Sequence, residues 1–576
     1  MMVVSAFCLL CIIALFAFSK QFVYSEVTPK WIGLTLATPL ITLIYCSVRR
    51  NIYLLTKPAI ILLILLMSVF IKDWVTIGGN YYLLTYLGCL FLLFFFFQQV
   101  VVLFSINYLY GIVILCITAL AIYGIFQYMG VLPFQNSNFK VTGNFDNSAG
   151  FAAALAGGFP YSLYFLQNTK QLERKISIGV VIVLLIGMGL SGSRTALIAS
   201  LVVIMCYAHS VFPSIRNTQR IKVFGICLFI IIVTVLYFSK KNSADGRLLI
   251  WQCTWNMVQD KPFLGHGYGS FYSKYMFYQA EYFNNHANNK YALLADNISY
   301  PFNEYLLILS EHGAIGLTGL LLSVLLLFRY YCQKRTNPKF YAMLGVLSMM
   351  IFSFFSYPFK YPFTWIIVLL NVAVIYMPSQ KLTGKVSYAI RTGIITTAIG
   401  FLCITIPFIN AEMTWNKVAK LSLAGKTKNV LHEYNKLHQY LDRNGLFLYN
   451  HAAELHYVKE FEKSLSVLKR CELFYNDMDV QMLFADNYMK LYKYDRAEHH
   501  LKLASTMCPV RFSPLYQLSE LYLEIGRKDE ALLLAKHIVN KEVKIPSKTI
   551  LLMKQKMCSF IQSHEKENVS PNNRSP

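Results

Sequence analysis

Two arginines and a group of carboxylates stand where a chain this apolar has little reason to keep them. Arg194 sits in "GLSGSRTALIA", between two apolar runs joined by almost no loop, and Arg247 sits in "SADGRLLIWQ". Six acids, Asp245, Asp260, Glu281, Asp296, Glu304 and Glu311, fall between 245 and 311, and Asp146, in the loop "VTGNFDNSAG", is expected to join them on the same side. A guanidinium is a planar fork of donors that matches phosphate oxygens. A carboxylate can take a proton from an attacking hydroxyl. Glu311 follows Glu304 by seven residues, about two helical turns, so both side chains share one helix face. Together these types suit displacement of a phosphate-containing leaving group by an alcohol. An arginine near a span end also fits a headgroup-snorkelling role, and the two glutamates also fit ion pairs inside a bundle. Arg194 resists the first reading because small residues flank it and leave room for a ligand.

The elements that carry these groups are membrane spans. The 576-residue chain is 56% hydrophobic, and apolar blocks long enough for a bilayer core of about 30 Å recur thirteen times. They lie near 3–18, 31–47, 58–72, 82–98, 107–128, 149–166, 176–191, 195–212, 221–239, 305–328, 340–356, 361–377 and 392–409. No small-residue cleavage site follows the first block, which reads as a retained helix. The expected fold class is all-α: a polytopic membrane helical bundle of about 12–13 spans with a C-terminal α-solenoid.

The net charge of +24 reports topology and not nucleic acid. Cations cluster in alternate short loops, "SVRRN", "KQLERK", "RNTQRIK", "RYYCQKRTNPK" and "KLTGKVSYAIR", which the positive-inside rule makes cytoplasmic. The loop at about 240–303 and everything after about 410 then lie outside. Thirteen cysteines fall mostly within spans, so neither a metal nor a disulfide framework is expected. "GHGYGSF" (265–271) is glycine-rich but follows no strand and lacks the P-loop lysine, so it reads as a turn and not a nucleotide site.

These stretches resemble the O-antigen ligase and polymerase superfamily of bacterial envelope glycosyltransferases. The resemblance rests on "GNFDNSAGFAA", "SGSRTALIA", "GRLLIWQCTWNMVQDKPFLGHGYGSF", "FNEYLLILSEHGAIGL" and "SYPF", which run in order through about residues 140–360. It implies a bundle similar to C-type membrane glycosyltransferases in a bacterial inner membrane. It also implies transfer of a glycan from an undecaprenyl-diphosphate carrier to an acceptor hydroxyl at the outer face. Arg194 and Arg247 would contact the diphosphate, with Asn303, His312 and Asp146 in support. The family's histidine general base, which precedes the asparagine of a motif ending in Gly-x-x-Gly, is replaced here by Phe302. Glu304 is the first candidate to take over that role, then Asp296, then Glu311. The implied enzyme is inverting and metal-independent, and needs no cofactor.

Three acceptors fit: a lipid A-core sugar, another carrier-linked glycan, or protein Ser/Thr. A transporter of the same lipid-linked sugar and a non-catalytic scaffold are the readings from other classes. Transporters place charges at mid-membrane and often carry internal repeats, whereas here the charges crowd to one face.

Beyond residue 410 the composition turns charged and amphipathic. Ser464, Ala497 and Ala531 repeat at 33 and 34 residues; Ala452, Ala485 and Ser519 stand twelve before each, and Leu455, Tyr488 and Tyr522 follow in register. This period is the tetratricopeptide signature. The expected organisation is a membrane domain at 1–410, a repeat domain at 411–563 that binds an acceptor or an envelope protein on the periplasmic side, and a disordered tail at 564–576.

Overall fold

The computed structural model describes residues 2–49, 52–61, 64, 81–133, 139–213, 215, 219–238, 241–286 and 290–569. Helices dominate, and among the described residues the one sheet is an antiparallel pair, Ile52–Tyr53 (β1) with Lys381–Leu382 (β2). The chain divides into two compact units. The first comprises Met1–Ser239 and Phe302–Asn416, and the second Lys240–Pro301 and Lys417–Pro576.

The first unit contains α1 (Met2–Phe16), α2 (Thr28–Val48), α3 (Tyr81–Leu103), α4 (Ile106–Tyr128), α5 (Ser148–Asn168), α6 (Gln171–Leu190), α7 (Arg194–Val211) and α8 (Gln219–Phe238). In the second unit lie α9 (Lys241–Asp260) and α10 (Ser270–Asn285). The chain then returns to the first with α11 (Glu304–Gln333), α12 (Asn337–Ser353), α13 (Pro362–Ile375) and α14 (Gly384–Leu421), the last passing into the second unit from Lys417. Twelve of the thirteen apolar blocks are therefore helices, and the block at 58–72 lies largely outside the described residues.

Among the described residues seven helices are long and apolar enough to cross a membrane: α2, Leu83–Leu103 of α3, α4, α5, α7, α11 and the helical run Gly384–Leu441. The others fall short for visible reasons. Helices α1 and α13 have 15 and 14 residues, α12 has 17, and α6 opens on Glu173, Arg174 and Lys175. Helix α5 is the centre: Gly150 to Tyr164 are all buried, as expected for a helix apolar on every side. Inside the bundle some polar groups pair between helices. Tyr161 donates to Asn371 Oδ1 (2.7 Å) and Ser348 to the Ala156 carbonyl (2.7 Å).

Contacts in the loops and near the helix ends sort the ends of this unit. At one end Leu54 bonds Gln380, Tyr110 bonds Pro338, and Asn337 bonds Asn168; Arg49, Lys170, Lys334, Arg335 and Lys381 belong to these loops. At the other, Asn144 bonds Phe16, Asn147 bonds Tyr357, Arg194 bonds Leu236, and Asn416 bonds Lys20. The first is here termed the basic end and the second the site end.

In the second unit, α15 (Thr427–Leu441) precedes α16 (Gly445–Tyr457), α17 (Phe461–Glu472), α18 (Met478–Lys490), α19 (Tyr494–Met507), α20 (Ser513–Glu524), α21 (Lys528–Asn540) and α22 (Lys548–Val569). Helix α16 packs on α17, α18 on α19 and α20 on α21, and successive pairs pack on one another. Ala452, Ser464, Ala485, Ala497, Ser519 and Ala531 are fully buried at the crossings. In two of the crossings a serine closes the contact: Ser464 donates to the Ala452 carbonyl (2.8 Å) and Ser519 to that of Ala531 (3.2 Å).

The turn inside each pair repeats as well. Lys459, Tyr492 and Gly526 all have positive φ (69°, 56° and 80°). The amides that follow reach back to Leu455, Tyr488 and Tyr522 (2.9, 2.9 and 2.8 Å), the Schellman closure of a helix. Residues 564–569, expected to be disordered, continue α22; 570–576 lie outside the described residues.

Two outcomes are expected for this unit. Lys459 is exposed, so Lys459→Gly loses little packing and relieves a left-handed backbone, raising stability by ~1 kcal/mol in thermal melts. Burial pushes the His451 and His500 imidazoles down to about 4, helped by His438 beside the first and by His499 and Arg496 beside the second. The folded unit holds them neutral while the unfolded chain takes up protons near 6.5. Stability is therefore full above pH 6.5 and falls as pH drops toward 4. Replacing both by Phe should flatten that slope in melts between pH 7 and 5.

Candidate active site

At the site end of the first unit the loop before α5 meets the segment 356–362. Asn147 caps α5, its Oδ1 accepting from the amides of Ala149 (2.8 Å) and Gly150 (3.2 Å), as helix starts require. Its Nδ2 donates to Tyr357 Oη (2.7 Å). Asp146 next to it pairs with Lys360 (2.6 Å) and accepts from Tyr361 (2.9 Å). Beneath them Lys30 is wholly buried, its ammonium donating to the carbonyls of Ala17 (3.0 Å), Glu26 (2.5 Å) and Asn144 (2.5 Å). A buried ammonium saturated this way ties the α1–α2 loop to the loop before α5.

Helix α11 starts on the same segment. Asn303 Oδ1 caps it by accepting from Tyr305 (3.0 Å) and Leu306 (3.1 Å). Glu304, its first residue, is buried at 8% exposure and accepts the Phe359 amide (3.2 Å). Glu311, two turns on, is also buried (6%). Gly313 then breaks the helix with φ 64° and ψ −165°, a region essentially closed to other residues. Glu304 and Glu311 thus share a short straight segment that ends at His312. A Cβ on Gly316 would stand 2.3 Å from that of His312, so the Gly-x-x-Gly spacing gives one glycine to the kink and the other to the histidine. Phe302 occupies the left-handed region (φ 54°) and sets its ring edge-on to Tyr357, 5.2 Å between centroids.

Arg194 opens α7 at the same end. Gly192 turns the chain (φ 66°), Ser193 caps the helix by accepting the Ala196 amide (3.4 Å), and the guanidinium reaches the last carbonyls of α8, Leu236 (3.0 Å) and Tyr237 (3.4 Å). A cation at a helix N-terminus, where amides already point outward, makes a field suited to an anion.

The remaining candidates lie in the second unit. Arg247 is on α9, partly exposed. Asp296 follows α10 and holds Arg511 in a two-pronged ion pair (2.9 and 3.0 Å). Gly265, Gly267 and Gly269 (φ 65°, 98° and 75°) turn the chain between α9 and α10. His266 bonds the Met257 carbonyl (2.9 Å) and His286 that of Tyr282 (2.9 Å).

The structure thus places Asp146, Arg194, Asn303, Glu304 and Glu311 at one end of the first unit, together with Lys30, Asn147, Tyr357, Lys360 and Tyr361, which were not among the sequence candidates. The signal was present: a lysine opening a span in "TPKWIG" and another interrupting "SYPFKYPF". Among the described residues no three His, Cys, Asp or Glu side chains converge to hold a metal.

The family model described as O-antigen ligase matches residues 179–321, roughly a quarter of the chain. The matched stretch runs from within α6 to within α11, and so contains Arg194, Arg247, Asp296, Asn303, Glu304, Glu311 and His312. No curated protein matches the chain. With the apolar helices, this similarity suggests a multi-pass membrane protein with a glycan-transfer role in polysaccharide biosynthesis, acting on a lipid-linked glycan.

The kink offers a clean test. Gly313→Ala should cost roughly 1–3 kcal/mol of backbone strain and lower the melting temperature of the purified protein. Gly319→Ala, where an added Cβ meets nothing within 4 Å, should not.

Proposed function

We propose that the protein transfers a glycan from undecaprenyl diphosphate to an acceptor hydroxyl at the outer face of the bacterial inner membrane. The observation that carries this is Glu304, a buried carboxylate at the start of α11, at the same end of the first unit as Arg194 and inside the stretch similar to O-antigen ligases. In this reading the basic end faces the cytoplasm, in keeping with the positive-inside rule, and the site end and C-terminal helices face the periplasm. The 33- and 34-residue period supports a tetratricopeptide-like solenoid for those helices.

The chemistry is an inverting displacement. Glu304 takes the acceptor proton, the freed oxygen attacks the anomeric carbon, and the bond from that carbon to the diphosphate oxygen breaks. The carrier diphosphate leaves as an anion, and Arg194, at the positive end of α7, stabilises the charge that develops on it. The resemblance gives Arg247 the same task, and its substitution tests it separately. Glu311 shares the face of Glu304 and assists it. Asn303 and Gly313 hold that segment in place, His312 packs at the kink, and Asp146 with Lys360 fixes the segment that supplies the Phe359 amide.

Glu304→Gln keeps an oxygen for that amide, so the protein should fold while transfer falls ~100-fold or more. Arg194→Ala should abolish transfer and leave the protein in the membrane. Full activity of both variants in a transfer assay with purified lipid-linked donor would refute the reading. Deleting the gene and running the envelope glycans on a gel identifies the acceptor. Loss of polymer on lipid A indicates a core sugar, single-unit caps indicate another carrier-linked glycan, and shifted glycoproteins indicate protein Ser/Thr. Unchanged glycans with sugar-lipid build-up in the inner leaflet would indicate transport instead.

A further inference from the structure

The segment 240–301 and the C-terminal helices lie more than 100 residues apart in sequence yet form one compact unit. Polar groups hold the junction. Arg511 donates from Nε and Nη2 to Asp296 Oδ1 (3.0 and 2.9 Å) and from Nη2 to Oδ2 (3.0 Å). Asn297 next to it donates to Asp477 (3.0 Å) and Asp479 (3.3 Å) and accepts from the Met478 amide (3.2 Å) and the Cys508 thiol (3.1 Å). Gln279 on α10, with no exposed surface, bridges the Asp296 carbonyl (3.1 Å) to the Met507 carbonyl (2.6 Å). The Asn476 amide donates to the Tyr272 carbonyl (3.1 Å). The first turn of α18, the last of α19 and the loop after it are thus all bonded to one short stretch.

We infer that the C-terminal repeat helices are a clamp for the segment 240–301, in which Arg511 and Asn297 are positioning residues that hold in shape the segment whose helix α9 carries Arg247. The inference rests on the transfer reading for its consequence, and on the contacts alone for the clamp. It assigns Asp296 a different role from that of general base, because both its carboxylate oxygens are committed to the guanidinium fork. The buried groups around Asn297 explain why the join is specific. Each of its four partners would lose a bond without it, and for the three that are buried, Asp477, the Met478 amide and the Cys508 thiol, a lost bond costs more than it contributes. Arg511 in turn sets a positive charge beside Asp296 and Asp479, so reversing its sign places like charges together.

The test is a charge swap in the full-length protein in detergent, read by chymotrypsin cleavage within 240–301 and by donor KM and kcat for transfer. Arg511→Asp and Asp296→Arg should each speed cleavage and lower kcat/KM on the order of tenfold, and the double swap should restore both most of the way. Arg511→Lys, which keeps the charge but loses the fork, should give a smaller loss of both without loss of folding. Unchanged cleavage in Arg511→Asp and Arg511→Lys would overturn the clamp. Restored protection without restored transfer in the double swap would put Asp296 in the chemistry and overturn its positioning role. Absence of transfer in the unaltered protein would overturn the proposed function, while the cleavage results would still decide the clamp.

Discussion

The interior of a membrane bundle holds no water to satisfy a polar group, so each one turned inward must find its partner in the chain. At the site end of the first unit that constraint falls on Glu304, and the Phe359 amide answers it. The amide is available because the short 3-10 turn Pro358–Lys360 is held from all sides. Trp31 and Trp365 donate to the carbonyls of Lys360 and Phe359 (2.8 and 2.9 Å), and Asp146 ties down the Lys360 side chain. Lys30 then joins the loop of Asp146 to two carbonyls near the start of the chain. The cluster is a chain of obligations that starts with one buried carboxylate.

Helix α11 shows how local backbone choices serve that cluster. Asn303 starts the helix and Gly313 ends its first segment, leaving a rigid stretch just long enough to carry Glu304 and Glu311 on one face. Phe302 enters it from a left-handed conformation that a bulky residue adopts only at a cost. The same kind of strain appears at Lys459 and Tyr492, but there it is shared with Gly526 by repetition. It therefore belongs to the turn between paired helices and not to a site.

What was legible in the sequence followed from periodicity. Apolar blocks located the helices, the seven-residue step from Glu304 to Glu311 put both on one face, and the 34-residue period located the crossings where Ala452 meets Ser464 and Ser519 meets Ala531. Contacts between distant segments were not legible. Lys30 looked like one cation among many, since only its three carbonyl partners distinguish it. The bond between Asp296 and Arg511 spans 215 residues, and no spacing rule reaches that far. For the same reason the segment 240–301 read as a loop of the membrane domain, although its hydrogen-bond partners lie in the C-terminal helices.

The proposed transfer requires the site end of the bundle to face away from the cytoplasm. Reporter fusions joined after Leu132, Asp296 and Asn416 measure this most directly. Alkaline phosphatase should be active and green fluorescent protein dark at all three positions. Fluorescence after Leu132 or Asp296 would put the carboxylates and Arg194 in the cytosol, and would contradict the account at its root.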